Sequence, residues 1–217
     1  MIVGILFCVC LILSNFLETK LIMIGPFSAT AGIIIFPIAY ILNDCIAEVW
    51  GFKKARLIIW LGFAINFLAV AFTQIAVALP PAPYYEGEEA FRTVFGATPR
   101  ITMASFIAFL AGSFVNAYVM SKMKVMTKGK GFGVRAVIST VFGESLDSLI
   151  FFPIAFWGIV PFNEMMMLII TQASFKTLYE IIILPVTKIV VNKVKKVEGV
   201  DVYDTDISYN VLNVKEI

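Results

Sequence analysis

Two carboxylates stand three residues apart at the head of an apolar, aromatic run, GESLDSLIFFPIAFW (Gly143–Trp157). On a helix Glu144 and Asp147 share one face, together with Ser148 and Phe151. A later apolar stretch places Gln172, Lys176 and Glu180 at four-residue spacing, a second polar stripe. A charge at the centre of a membrane helix costs about 2.5–3.5 kcal/mol on insertion scales, so such residues turn inward and find partners. Lys176 can pair with Glu180 or with one of the acids at 144 and 147, which by itself would only fasten the helices together. Three acids against one cation leave negative charge in excess. That excess calls for protons, water or a solute with donor groups. An ionised carboxylate accepts two parallel hydrogen bonds, which suits a planar group with adjacent N–H donors, or a cation. Nearby rings, Phe151 among them, supply stacking faces. Asn15, Asn43 and Asn116 place amides in other apolar segments. Glu144, Asp147, Phe151, Gln172, Lys176, Glu180, Asn15, Asn43 and Asn116 form the candidate substrate-binding set.

The surroundings of these charges define the class of protein. Of 217 residues, 60% are hydrophobic and 15% are charged, whereas a soluble domain carries nearer a quarter. The mean hydropathy is +0.92, and the apolar residues come in long unbroken runs. The chain reads as an integral membrane protein whose partner is the lipid bilayer. The net charge of +2 is no nucleic-acid footprint, and the basic residues are topology signals. Cys8, Cys10 and Cys45 lie in apolar runs and read as packing residues. With no histidine and no CxxC pair, neither a zinc nor a haem site is expected, and no cofactor is. Met1–Leu17 has no basic stretch before it and no small-residue cleavage site after it, so it reads as a first helix rather than a signal peptide.

A crossing needs about 20 apolar residues. Candidate spans are 2–19, 30–49, 56–79, 101–121, 134–157 and 165–191. Residues 23–31 read as a Gly/Pro/Ser loop, Gly51–Arg56 (GFKKAR) as a short basic connection, Pro80–Arg100 as a long polar loop and Lys122–Gly133 as a basic connection. With the N-terminus inside, 12 lysines and arginines fall in inner segments and three, Lys20, Arg92 and Arg100, in outer ones. The expected architecture is an all-α bundle of six transmembrane helices with both termini cytoplasmic, spanning 1–192, followed by a charged cytoplasmic tail over 193–217. FPIA occurs at Phe36–Ala39 and again at Phe152–Ala155, a weak sign of an inverted repeat. Pro37, Pro153 and Pro185 interrupt three helices, and Gly143 permits close backbone approach beside Glu144.

Two long segments carry a resemblance. NDCIAEVWGFKKARLIIWLGF (Asn43–Phe63) and STVFGESLDSLIFFPIAF (Ser139–Phe156) resemble the queuosine precursor transporters, also called the vitamin uptake transporter family. Ser14-Asn15 followed by Lys20, and Lys176 with Tyr179-Glu180, agree in placement, so the resemblance covers about residues 10–190. It implies a six-helix bundle in the plasma membrane that imports 7-deazaguanine precursors of the tRNA base queuosine, such as preQ0, preQ1 or queuine. Such a base is a purine-like small molecule with the donor edge argued above. On this reading Glu144 and Asp147 receive that edge, and Lys176 and Glu180 complete the polar ring. Asp44, Glu48 and the Lys53-Lys54-Arg56 cluster are read as an inner gate or as structural ion pairs.

A second reading is the substrate-binding component of a multi-subunit, ATP-driven vitamin importer. Met1–Lys20 lacks the alanines through which such components dock, and the chain has no P-loop. An intramembrane enzyme is a third. Two acids three apart on one helix flank a scissile bond poorly and nothing supplies a nucleophile, so the chain is not expected to be an enzyme. Driving force and oligomeric state stay open, and a homodimer is compatible with a bundle of this size.

Overall fold

The computed structural model describes residues 2–17, 20–24, 27–96, 99–158 and 161–213. Helix α1 (Ile2–Leu17) leads into a short antiparallel hairpin, β1 (Leu21–Ile24) and β2 (Phe27–Thr30), and a 3-10 turn (Ala31–Ile34). Then follow α2 (Phe36–Ala78), α3 (Glu88–Phe95), α4 (Pro99–Met126), α5 (Phe132–Phe156) and α6 (Phe162–Glu198). Four helices are long and apolar enough to cross a membrane: α2, α4 over Met103–Met126, α5 and α6. Helix α1, with 16 residues, is shorter. Helices α4 and α5 pack closely as an antiparallel pair. Helix α2 lies against α1 and α4, and α6 lies against α5 and α2.

Several expected connections hold regular structure instead: the long polar loop 80–100 carries α3 (Glu88–Phe95), α4 runs to Met126 into the basic connection, and two further stretches differ as follows. The stretch 23–31 contributes to the hairpin, with Leu21 opposite Thr30 and Ile24 opposite Phe27. Its β-branched and aromatic residues favour extended backbone. Gly51–Arg56 is no loop, because helix continues on both sides of one residue. The break is confined to Gly51 (φ 79, ψ 176), a conformation essentially reserved for glycine. The Lys53-Lys54-Ala55-Arg56 run that follows consists of good helix formers. Helix α2 is thus two limbs, 36–50 and 52–78, joined at an angle.

The chain's end folds back onto that break. Helix α6 runs to Glu198, beyond the boundary read at 192, and ends on left-handed Gly199. Phe52 N–H donates to Asp204 Oδ2 at 2.8 Å, and Val202 N–H donates to the Val49 carbonyl at 3.1 Å. The tail therefore satisfies backbone groups on both sides of the kink. A Cβ at position 51 would lie 2.6 Å from Asp204 Oδ1. Ser121 Oγ also donates to Asp204, at 2.5 Å. Arg56 Nη1 donates to the Ser208 and Asn210 carbonyls at 3.2 and 2.7 Å, and Trp60 Nε1 to that of Val211 at 2.8 Å. The Tyr209 ring sits 5.0 Å from those of Phe52 and Tyr118. Residues 199–213 form a strap rather than a free tail; residues 214–217 lie outside the described set.

Asp204→Ala leaves the Phe52 N–H and the Ser121 hydroxyl without their acceptor. The expected cost is about 1–3 kcal/mol, checked by thermal unfolding and by protease cleavage within the strap. Asp201 ties the strap to α4 and α6. Burial acts to raise its carboxyl, but hydrogen bonds from Lys124 and Lys195 outweigh that and hold it below its ordinary value. Its contribution is present above the ordinary carboxylate value and is lost as pH falls through the depressed one.

Candidate functional site

The first limb of α2 presents Phe36, Tyr40, Asp44 and Glu48 at four-residue spacing, hence along one stripe. Polar residues of α5 and α6 meet this stripe at three levels.

At the level farthest from the strap, Lys176 Nζ of α6 lies 2.7 Å from Glu144 Oε2 and 3.4 Å from Asp147 Oδ2. It also stands 3.9 Å from the centre of the Phe36 ring, a cation–π contact. Glu144 is completely buried and Glu144 Oε1 has no hydrogen-bond partner, while Asp147 and Lys176 are each 7% exposed. Two glycines bring α4 close behind this centre. A Cβ on Gly112 would lie 2.8 Å from the Gly143 carbonyl, and one on Gly143 would lie 2.8 Å from Asn116 Cβ. Tyr40 fills the space beside the glycine pair. The buried Asn43 Nδ2 donates to Asn116 Oδ1 at 2.8 Å and to the Ser113 carbonyl at 3.1 Å, locking α2 to α4.

One turn toward the strap, Asp44 meets Ser139, whose Oγ lies 3.2 Å from Asp44 Oδ1, and neighbours Glu180. Glu180 in turn neighbours Thr140. All four side chains are buried.

At the third level Glu48 is held from three helices. Arg135 grips it with both terminal nitrogens, at 2.6 and 3.0 Å. Lys195 Nζ lies 2.7 Å away, and Lys124 donates to the Glu48 carbonyl. Lys124 and Lys195 also reach Asp201, at 2.5 and 2.8 Å. Glu48 thus pairs with Arg135, Lys195 and Lys124 rather than with the Lys53-Lys54-Arg56 cluster, of which Arg56 holds the strap.

The sequence-derived residues divide accordingly. Glu144, Asp147 and Lys176 come together. Asn43 and Asn116 bind each other beside them. Gln172, one turn from Lys176 on α6, is buried. Glu180 sits a level away with Asp44. Asn15 donates to Asn66 of α2 at 2.9 Å, spending its amide on helix packing. Phe151 packs with Phe152 and Phe156 at ring distances of 5.3 and 5.9 Å. Sequence reasoning missed the parts of Phe36 and Ser139 and the Arg135–Glu48 pair. The regular spacing of 36, 40, 44 and 48 was the available signal for the first.

Chemically, the first level offers two carboxylates, one ammonium and an aromatic face in a buried site. That set can receive a planar molecule carrying both donors and an acceptor.

Residues 30–190 match a family model described as "Putative vitamin uptake transporter". The chain is 28% identical over 174 residues to a Bacillus subtilis protein named "Probable queuosine precursor transporter", across 79% of this chain and 76% of that one. It is 28% identical over 144 residues to an Escherichia coli protein named "Queuosine precursor transporter", across 66% of this chain and 62% of the relative. A Haemophilus influenzae protein with the same name as the Bacillus one is 28% identical over 131 residues, across 60% and 53%. No solved structure matches.

Proposed function

The chain belongs to the vitamin uptake transporter family of multi-pass cell-membrane proteins, and on that premise we propose that it imports queuosine precursors, 7-deazaguanine bases, with Glu144, Asp147 and Lys176 as the substrate-binding centre. The observation that carries this reading is the buried Lys176 between two acids, with Glu144 Oε1 unpartnered. A 7-deazaguanine presents a ring N–H and an exocyclic amine side by side, and one carboxylate accepts both in parallel. Its carbonyl oxygen, adjacent to the ring N–H, accepts from the ammonium of Lys176. A precursor that also carries an aminomethyl group places a cation against the second acid. The Phe36 ring, already against Lys176, supplies a stacking face.

On the same reading α1 and the two limbs of α2 each count as crossings, giving six with both termini on the cytoplasmic side. The basic residues support this orientation. Lys124, Arg135 and Lys195 cluster with the strap at the end taken as inner. Because the centre is buried, the substrate enters only when the helices part, and the Gly51 break and the prolines within α5 and α6 supply joints.

The test is uptake in cells that neither make 7-deazaguanines nor import them. Producing this chain should restore queuosine in their tRNA when a 7-deazaguanine base is supplied. Unchanged tRNA with the protein present in the membrane would refute the assignment. Restoration without any added ATPase subunit would also set aside the multi-subunit importer.

A further inference from the structure

Asp44 and Glu180 face each other in the interior, 0% and 2% exposed. Among the described residues neither forms an ion pair. Lys176 is engaged with Glu144 and Asp147 one turn away, and Arg135 is engaged with Glu48 on the other side. Asp44 Oδ2 and both oxygens of Glu180 have no hydrogen bond from a donor. Two ionised carboxylates side by side without a cation are not tolerated in such a place, since each bears a desolvation cost of several kcal/mol and they repel.

Proton counting points the same way. Ser139 Oγ lies 2.8 Å from the Ala136 carbonyl and 3.2 Å from Asp44 Oδ1. A hydroxyl has one proton. Shared between the nearer carbonyl and Asp44 Oδ1, it satisfies neither fully and leaves Asp44 Oδ2 without a donor. Asn116 Oδ1 is taken by Asn43, and Asn116 Nδ2, turned to Asp44, is unpartnered in the interior. Thr140 Oγ1, beside Glu180, is likewise unpartnered and buried. These donors are neutral and, among the described residues, no cation reaches the two carboxyls, so a proton held between Asp44 and Glu180 is what neutralises the pair.

We propose that Asp44 and Glu180 form a proton-carrying carboxyl pair, separate from the substrate centre, that couples import to the proton gradient. The coupling follows from Lys176. Lys176 and Glu180 lie one turn, about 6 Å, apart on α6. With the pair protonated, Lys176 stays between Glu144 and Asp147 and the substrate centre is assembled. With the pair ionised, Glu180 competes for the ammonium and the centre loses it. Proton and substrate therefore favour each other's binding, and by reciprocity each raises the affinity for the other. The proton is taken up from the outer side with the substrate and released inside with it. The titratable groups acting on the pair are Tyr40 and Cys45 from α2 and Glu144 from α5; the cations one turn to either side, Lys176 of α6 and Arg135 of α5, are held by other acids, and α4 contributes the uncharged Asn116.

Coupling rests on the import reading, so the test has one arm that needs no substrate. Infrared spectra of the purified protein at neutral pH should show the C=O stretch of a protonated carboxylic acid, removed or shifted by the isosteric variants Asp44→Asn and Glu180→Gln. Absence of the band, or a band unchanged in both variants, overturns the pair. In proteoliposomes with an acidic exterior, wild type should concentrate a labelled 7-deazaguanine base above the external level. Asp44→Asn, outside the substrate-binding set, should still exchange labelled for unlabelled base but stop at the external level. A variant that accumulates like wild type overturns the coupling. A wild type that neither exchanges nor accumulates refutes the substrate assignment instead, and the infrared band still decides the pair.

Discussion

Lys176→Met is expected to destabilise the protein by about 3–5 kcal/mol, the cost of leaving a buried charge without its partner. The lysine is the cation within reach of both Glu144 and Asp147, at 2.7 and 3.4 Å, and all three side chains are buried. Methionine matches the length of the stem and keeps the contact with Phe36, so lost packing contributes little. What remains is two buried carboxylates without a cation. Neutralising them in turn, by adding Glu144→Gln and Asp147→Asn to Lys176→Met, should recover much of the loss, because an uncharged set is cheaper than a broken one. Thermal unfolding of the single and triple variants checks this. A single variant as stable as wild type would mean that water already reaches the site.

Glu48→Gln is the second large effect, also expected at about 3–5 kcal/mol. Arg135 is fully buried; both its terminal nitrogens bind this carboxylate, and the Gly129 carbonyl is the further acceptor of one of them. Lys195 loses its contact as well, and its remaining acid is Asp201 of the strap. The variant should therefore both melt earlier and release residues 199–213 to protease. Lys54→Ala, an exposed change in the neighbouring basic cluster, should stay within about 0.5 kcal/mol of wild type. Equal effects from the two would place the partner of Glu48 in the basic cluster.

The contrast between Glu48 and Glu144 shows what could be read from the sequence and why. Glu144, Asp147 and Lys176 stand alone in apolar runs, so their cost in hydrocarbon marks them and their spacing fixes a shared face. Glu48 stands next to a basic cluster, and adjacency pointed to Lys53, Lys54 and Arg56. Its true partners lie 76 residues or more along the chain, brought in by the packing of α4, α5 and α6 against α2. The Gly51 break was legible as a glycine but not as a joint within one helix, because the groups that stabilise it, Asp204 and Val202, come from the far end of the chain. The strap escaped for a related reason. Its sequence, DVYDTDISYN, is polar and has no apolar period, since it is held by backbone carbonyls, one carboxylate and a tyrosine rather than by a buried face. Asn15 contacts Asn66, and Phe151 contacts Phe152 and Phe156, which residue type alone could not foretell.

Binding of a 7-deazaguanine base to purified protein, by calorimetry, tests the carboxylate-centred site most directly when wild type is set beside Glu144→Gln. Lys176 keeps Asp147 as a partner in that variant, so the fold should persist. Hydrogen bonds to a charged group contribute about 1.5–3 kcal/mol, so affinity should fall about 10- to 100-fold while the unfolding temperature is largely kept. Equal affinity for both proteins, or no binding by folded wild type, would contradict the site.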